Sequence, residues 1–212
     1  METERKDLLK MCGGKKYSVI YADPAWITRY FKERNDGYLS RELPYEAMTD
    51  EQIKSLPIRE IIADDAILFL WVIDSKIPMI NDFMKAWGFE YKCVGFVWAK
   101  KAKTTDGVNA NFSSYTRRAC EFCYIGVRGK YMVKKKNLDQ FIFEPKREHS
   151  REPDIIRNLI VEMIGDVLDA HMGHTSHLSM TQENKLCDIS CRLLESFLSF
   201  ILRNVYGHNA DV

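Results

Sequence analysis

An apolar run that stops at a proline is the first constraint on this chain. Tyr17-Ser18-Val19-Ile20-Tyr21-Ala22 is rich in β-branched and aromatic residues and short, so it reads as a buried strand. Pro24 lacks an amide hydrogen and forbids continuation of the sheet, so Asp23 falls where the strand stops and the backbone turns outward. In an open α/β sheet, that carboxyl edge is where ligands bind. The turn Asp23-Pro24-Ala25-Trp26 sets a carboxylate, a rigid bend and a large aromatic side by side there. On its own this pattern is also what a strand end with a core tryptophan looks like.

The segments that follow supply the rest of an α/β sheet. Thr49-Asp50-Glu51-Gln52 is a capping-box start for a helix to about Leu56, and a second short helix is expected around Ile58 to Ile62. Ala66 to Val72 is continuously apolar, as a strand covered on both faces must be. Ile77, Ile80, Phe83, Met84 and Trp87 recur at helical spacing, and Gly88 stops that helix. Tyr91 to Trp98 and Ala119 to Val127 read as further strands, the second closed by Arg128-Gly129-Lys130. Pro153 opens a helix with Ile155, Ile156, Leu159, Ile160 and Met163 on one face, and Gly165 ends it. Strands alternating with helices predict a mostly parallel sheet with helices on both faces. Ile27 to Pro44 is a polar, aromatic loop, and a loop of that length after such a turn points to function. Lys100 to Ser114 reads as a polar loop, and Gly13-Gly14 as a turn in a loose lead.

At 212 residues one domain is expected. The opening residues carry no apolar signal core, and Leu193 to Tyr206 is too short and too charged to span a bilayer, so no membrane association is expected. Six cysteines then read as reduced thiols of an intracellular protein. Net charge of +1 argues against a wholly basic nucleic-acid binder. From Lys100 to Arg147, however, 12 Lys/Arg face 4 Asp/Glu, a local field that suits a phosphate backbone or a solvated lysine-rich loop. His171, His174 and His177 with Cys187 and Cys191 make either a zinc site or a polar linker, and the linker is favoured. Cys120 and Cys123 fall in a strand and read as core. No metal is expected. Leu186, Ile189, Leu193, Leu194, Phe197, Phe200, Ile201 and Val205 form a broad apolar face, either of a docking helix or of a partner surface.

The motifs between Tyr17 and Asp166 together resemble the MT-A family of adenine-N6 methyltransferases, which act on mRNA or on bacterial and phage DNA. The resemblance runs through Ile20 to Trp26, Tyr45 to Thr49, Ile67 to Val72, Ala86 to Tyr91 into Phe96-Val97-Trp98, Tyr115-Thr116-Arg117 with Glu121, Arg128-Gly129, and Arg147 to Asp154. It implies a Rossmann-like fold that uses S-adenosyl-L-methionine to methylate the exocyclic amine of adenine. Residues 17–166 would be the methyltransferase domain, 1–16 a lead, and 167–212 a divergent tail, expected to be helical. By the same resemblance, Asp23 and the Pro24 carbonyl would hold the amine, with Ala25 in the turn and Trp26 stacking on the base. Asp23, His149, Ser150, Arg151 and Pro153 would line the donor, with a helix N-terminus as a carboxylate site. Tyr30, Phe31, Thr116, Arg117 and Glu121 would shape the substrate side, and Lys100, Lys101 and Lys103 would carry the strand.

Three departures bear on activity. Ala25 replaces the family's second proline, and Glu152 stands where a lysine is usual. The strand that would carry donor-binding residues after Asp166 is not evident in the tail. Val167-Leu168-Asp169-Ala170 is the candidate replacement, with Asp169 near the donor, but four residues are a thin basis for a buried strand. Weak or absent donor binding is therefore favoured. The primary expectation remains a nucleic-acid adenine-N6 methyltransferase, DNA favoured over RNA. The alternative is a catalytically silent nucleic-acid-binding subunit, partnered with itself or with a relative of the same family. The compartment would be cytoplasmic in a bacterium or phage and nuclear in a eukaryote.

Overall fold

The computed structural model describes residues 14, 16–27, 47–113, 115–146 and 153–165, and the backbone of 186–190. Strand β1 (Tyr17–Asp23) is followed by helices α1 (Asp50–Ser55) and α2 (Ile58–Ile61), which lead into strand β2 (Ile62–Val72). A 3-10 turn over Asp74–Met79 runs into α3 (Ile80–Trp87), then β3 (Glu90–Lys101), β4 (Cys120–Arg128) and β5 (Phe141–Pro145). Helix α4 (Asp154–Ile164) and strand β6 (Leu186–Ser190) complete the set.

The six strands lie in the order β5-β3-β4-β2-β1-β6. The β1–β2, β1–β6 and β3–β5 pairs are parallel, whereas β4 is antiparallel to both β2 and β3. The sheet is therefore mixed, and the parallel expectation is corrected at β4. The reason is local: β3 returns directly through a hairpin, and a hairpin reverses direction. Five strands still point one way, which gives them a common carboxyl edge.

Alternation along β1 and β2 divides the core in two. Ile20, Ala22, Leu68 and Leu70 face α1, α2 and α3, meeting Ile53, Ile58, Phe83, Met84 and Trp87. Val19, Tyr21, Ile67, Phe69 and Trp71 face the other way, onto Ile156, Ile160 and Ile164 of α4. Helices thus cover both faces. The four tryptophans each satisfy the indole N–H, as buried indoles must. Trp26 donates to the Trp71 carbonyl at 3.1 Å, Trp71 to the Tyr21 hydroxyl at 2.8 Å, Trp87 to the Ile53 carbonyl at 2.8 Å and Trp98 to the Glu144 carbonyl at 2.8 Å.

The helix starts and stops follow the sequence closely. Thr49 accepts from the Gln52 amide while the Gln52 side chain accepts from the Thr49 amide, the reciprocal capping box. Gly88 ends α3 at φ +89, where Phe89 N–H reaches back to the Met84 carbonyl. Cys123 is buried and Cys120 half-buried, both on β4. Among the described residues no helix is long and apolar enough to cross a membrane.

Two strands were not read from the sequence. β5 is short and ends in proline. β6 lies in the tail, where Leu186 and Ile189 read as one face of a helix; the segment instead pairs in parallel with β1, Val19 opposite Leu186 through Asp23 opposite Ser190. Five residues carry too little periodicity to separate the two readings, and the open edge of β1 decides in favour of a strand. Residues 167–170, including Asp169, lie outside the described residues, as do His171, His174, His177 and Cys191. The strand beside β1 is present, but it is drawn from 186–190.

Gly129, between β4 and the segment leading to β5, sits at φ +65, and a Cβ there would overlap the Asp64 carbonyl and Asp65 Oδ1. Asp65 Oδ1 accepts the Lys130 amide at 2.7 Å in the same turn. Gly129→Ala should therefore lower unfolding free energy by about 1–3 kcal/mol, read from the urea midpoint. An unchanged midpoint would mean that the turn relaxes freely.

Candidate active site

Because five strands run together, the ends of β1, β2, β3, β5 and β6 and the start of β4 share one edge. From β1 the chain passes to β2 on one side, while β6 occupies the other. The crevice at β1 and β6 is thus where the sheet's winding changes direction, the place where open α/β sheets bind ligands. Asp23 stands at the end of β1, half-buried and opposite Ser190.

The turn after Asp23 is braced from within. Trp26 N–H donates to the Pro24 carbonyl at 2.8 Å, Met48 N–H to the Ala25 carbonyl at 2.7 Å and Ile27 N–H to the Met48 carbonyl at 3.2 Å. These bonds hold Ile27 beside Met48. Pro24, Ala25 and Trp26 are buried. The Trp26 ring meets Phe83 edge-on, centroids 4.8 Å apart at 76°. With 5% of its surface exposed and its N–H held by Trp71, Trp26 is a core residue that fixes the turn. This position differs from the base-stacking wall that the resemblance implied.

The basic residues collect at the other end of the same edge. Lys100 pairs with Glu121 and lies 5.2 Å over the Trp98 ring. Two residues read separately as substrate contacts are therefore partners of each other. Lys101 approaches Asp106 at 3.4 Å and lies 5.7 Å from the Phe143 ring centroid. Lys103 is exposed and makes no ion pair among the described residues. Thr116 and Arg117 are exposed on the β3–β4 hairpin. Arg118, which the sequence did not single out, bridges to Asp74 at 3.4 Å and ties that hairpin to the end of β2. Lys101, Ala102, Lys103, Phe143, Glu144, Pro145 and Lys146 line an open cleft of about 530 Å³. Phe143 and Glu144 were missed because β5 was not recognised as a strand.

Three strand spacings separate β1 from β3, so the cleft lies roughly 14 Å along the edge from Asp23. Pro153 is buried at the start of α4. Tyr30, Phe31, His149, Ser150 and Arg151 lie outside the described residues. Partial desolvation raises the Cys93 thiol, on an otherwise exposed residue, and the half-buried Tyr131 phenol above their ordinary values. Burial also raises the Tyr124 phenol, aided by Tyr91 and the Asp74 carboxylate.

The site thus has an acidic turn at the carboxyl edge of a mixed α/β sheet and a basic hairpin farther along the same edge. The MT-A70 family model matches residues 17–172, and the chain belongs to that family, one of adenine-N6 methyltransferases. Its similarity to the type II methyltransferase M.MunI of a Mycoplasma species is 31% identity, over 70% of this chain and 68% of the relative. It is 27% identical to the N(6)-adenosine-methyltransferase catalytic subunit METTL3 of Homo sapiens, over 68% of this chain but 23% of that protein. A Drosophila melanogaster N(6)-adenosine-methyltransferase MT-A70-like protein is similar at 26%, over 68% of this chain and 22% of its own length. The chain thus spans about a quarter of the animal relatives. The family match ends before β6 begins.

The packing of Trp26 gives a direct test. Trp26→Ala should cost about 3–5 kcal/mol of stability, whereas Trp26→Phe keeps one aromatic ring but loses the pyrrole volume and the bond to Trp71, about 1–3 kcal/mol. Urea unfolding followed by circular dichroism separates the two. Equal midpoints for Trp26→Ala and the unchanged chain would remove Trp26 from the core.

Proposed function

We propose that this chain transfers a methyl group from S-adenosyl-L-methionine to the N6 amino group of adenine in nucleic acid, with DNA favoured, on a Rossmann-like scaffold. The observation that carries the reading is the Asp23 carboxylate at the end of β1, between β2 and β6 at the ligand crevice. DNA is favoured because identity to the type II methyltransferase is 31%, against 26–27% to the animal N(6)-adenosine-methyltransferases.

The residues present fit the donor. A half-buried carboxylate beside β6 suits the cationic end of S-adenosylmethionine, and a helix N-terminus such as that of α4 favours a carboxylate. When bound, the donor supplies an electrophilic methyl carbon. The chain's own work is orientation. An Asp23 oxygen and the Pro24 carbonyl, which keeps a second lone pair beyond its bond from Trp26, accept the two hydrogens of the adenine amine. Those bonds turn the nitrogen lone pair out of the ring's conjugation and aim it along the line of transfer. Trp26 acts as a positioning residue: its bonds to Pro24 and Trp71 fix where that carbonyl points. The proton leaves the nitrogen for solvent after transfer, so Asp23 need not act as a strong base. Thr116 and Arg117 extend the substrate side, and residues 149–151 the donor side.

The silent-subunit alternative rested on the missing donor motif, the strand beside β1 included, and on Glu152. β6 stands in that place, which favours the catalytic reading.

Transfer of labelled methyl from S-adenosylmethionine to adenine-containing DNA and RNA oligomers tests the proposal. Asp23→Asn should lower turnover about a hundredfold or more with folding intact. Full activity in that variant would refute the assigned role. Donor binding by the isolated chain in calorimetry would dispose of the silent reading, and its absence would dispose of the catalytic one.

The lysines make a separate prediction about binding. Lys103→Gln should weaken DNA binding and reduce the slope of log affinity against log salt by about 0.7–0.9, one phosphate contact. Lys100→Gln should change that slope less, because Glu121 already holds Lys100. The reverse order would show that the Lys100 pair opens on binding.

A further inference from the structure

Two aromatic side chains stand almost wholly in water on the β3–β4 hairpin. Phe112 is 91% exposed and Tyr115 97%. Both lie in a turn closed by Asn111 and Arg118, whose backbones exchange two hydrogen bonds of 2.8 Å. A neighbouring turn is closed by Ala102 N–H to the Gly107 carbonyl at 2.8 Å, and Asn109 N–H is tied to the Lys100 carbonyl at 2.6 Å. With Arg118 also bridged to Asp74 at 3.4 Å, the hairpin has a fixed root. Exposed rings on a pinned frame form a displayed surface. The charge around them leans one way: from Lys100 to Arg118 the sequence holds five Lys/Arg and one acid, Asp106, and although Lys100, Lys101 and Arg118 are engaged by Glu121, Asp106 and Asp74, Lys103 and Arg117 make no ion pair among the described residues.

We infer that Phe112 and Tyr115 form a stacking wedge for nucleic-acid bases, covering the faces exposed when a target adenine is drawn out of a duplex. The inference rests on the proposed adenine-N6 reaction and adds residues to its substrate side. An adenine cannot reach Asp23 while stacked in a helix, and its removal leaves neighbouring bases with uncovered faces. A phenyl or phenol ring fills such a gap whatever the sequence, because every base presents a π face. The cations of the hairpin match the phosphates that border the gap. An apolar protein surface offers nothing to pair with those cations, so nucleic acid is the occupant that charge selects. Root and tip divide the work: the lysines bind any strand, and the rings bind only where bases are unstacked.

The test compares two DNA duplexes of equal length and charge by fluorescence anisotropy, without donor. One is fully paired. In the other, adenines face abasic positions and are already unpaired. The unchanged chain should bind the second roughly tenfold more tightly, as expected for one stacked base. The double variant Phe112→Ala/Tyr115→Ala should lose this preference while keeping the salt slope and the urea midpoint. Lys103→Gln should do the opposite, lowering the slope and keeping the preference. A double variant that keeps the preference, or that loses affinity for both duplexes alike, overturns the wedge. So does an unchanged chain that sediments as a dimer which the double variant dissociates, since the rings would then be an interface between copies. If the chain binds neither duplex, this inference and the proposed reaction both fail. If it methylates adenine but binds both duplexes equally, only the wedge fails.

Discussion

The structure depends on β1 being satisfied on every side at once. Its backbone pairs with β2 on one edge and β6 on the other, and its side chains alternate between two cores. An interior strand deprived of either neighbour would bury unpaired amides and carbonyls, each costing more than an ordinary hydrogen bond contributes. Pro24 then ends the ladder at one defined residue. Asp23 is placed at the carboxyl edge by this termination, before any contact of its own side chain is considered.

The turn inherits its rigidity from the same strand pair. Trp26 donates to the Trp71 carbonyl, and the Trp71 indole donates to Tyr21. Tyr21 is on β1, two residues before Asp23. The series therefore runs from the turn to β2 and back into β1, and links the two faces of the sheet. A shift of the turn would break a hydrogen bond inside the core. At Ala25, which has no ring to stiffen the turn, Met48 N–H holds the carbonyl and adds a backbone bond.

What was legible in the sequence followed from local physics. β1, the start of α1, the stop of α3 and both ends of α4 are encoded in Pro24, Thr49 with Gln52, Gly88, Pro153 and Gly165, whose preferences act within a few residues. The reversal at β4, the edge strand β5 and the strand β6 depend on which partner lies alongside, and pairing over long separations leaves no mark on a five-residue segment. The site shows the same division. The position of Asp23 was legible because a proline fixed it, whereas the packing of Trp26 was not, because an indole beside a carboxylate looks the same whether it faces a ligand or Phe83. The Lys100–Glu121 pair was invisible for want of the β3–β4 register, which sets Trp98 opposite Glu121.

The spacing between the acidic and basic parts of the edge follows from that strand order and has an electrostatic consequence. Three strand spacings separate Asp23 from the lysines, roughly 14 Å, against a screening length of about 8 Å at physiological ionic strength. The lysines can draw in phosphates without supplying Asp23 with a nearby ammonium. In the proposed reaction the lysines meet phosphates while Asp23 meets the base. Glu121 strengthens the separation by holding Lys100 on the basic side. Transferring that lysine to the β2 exit would thus add affinity for the backbone and subtract from orientation of the base. The sheet keeps the two tasks apart by width alone.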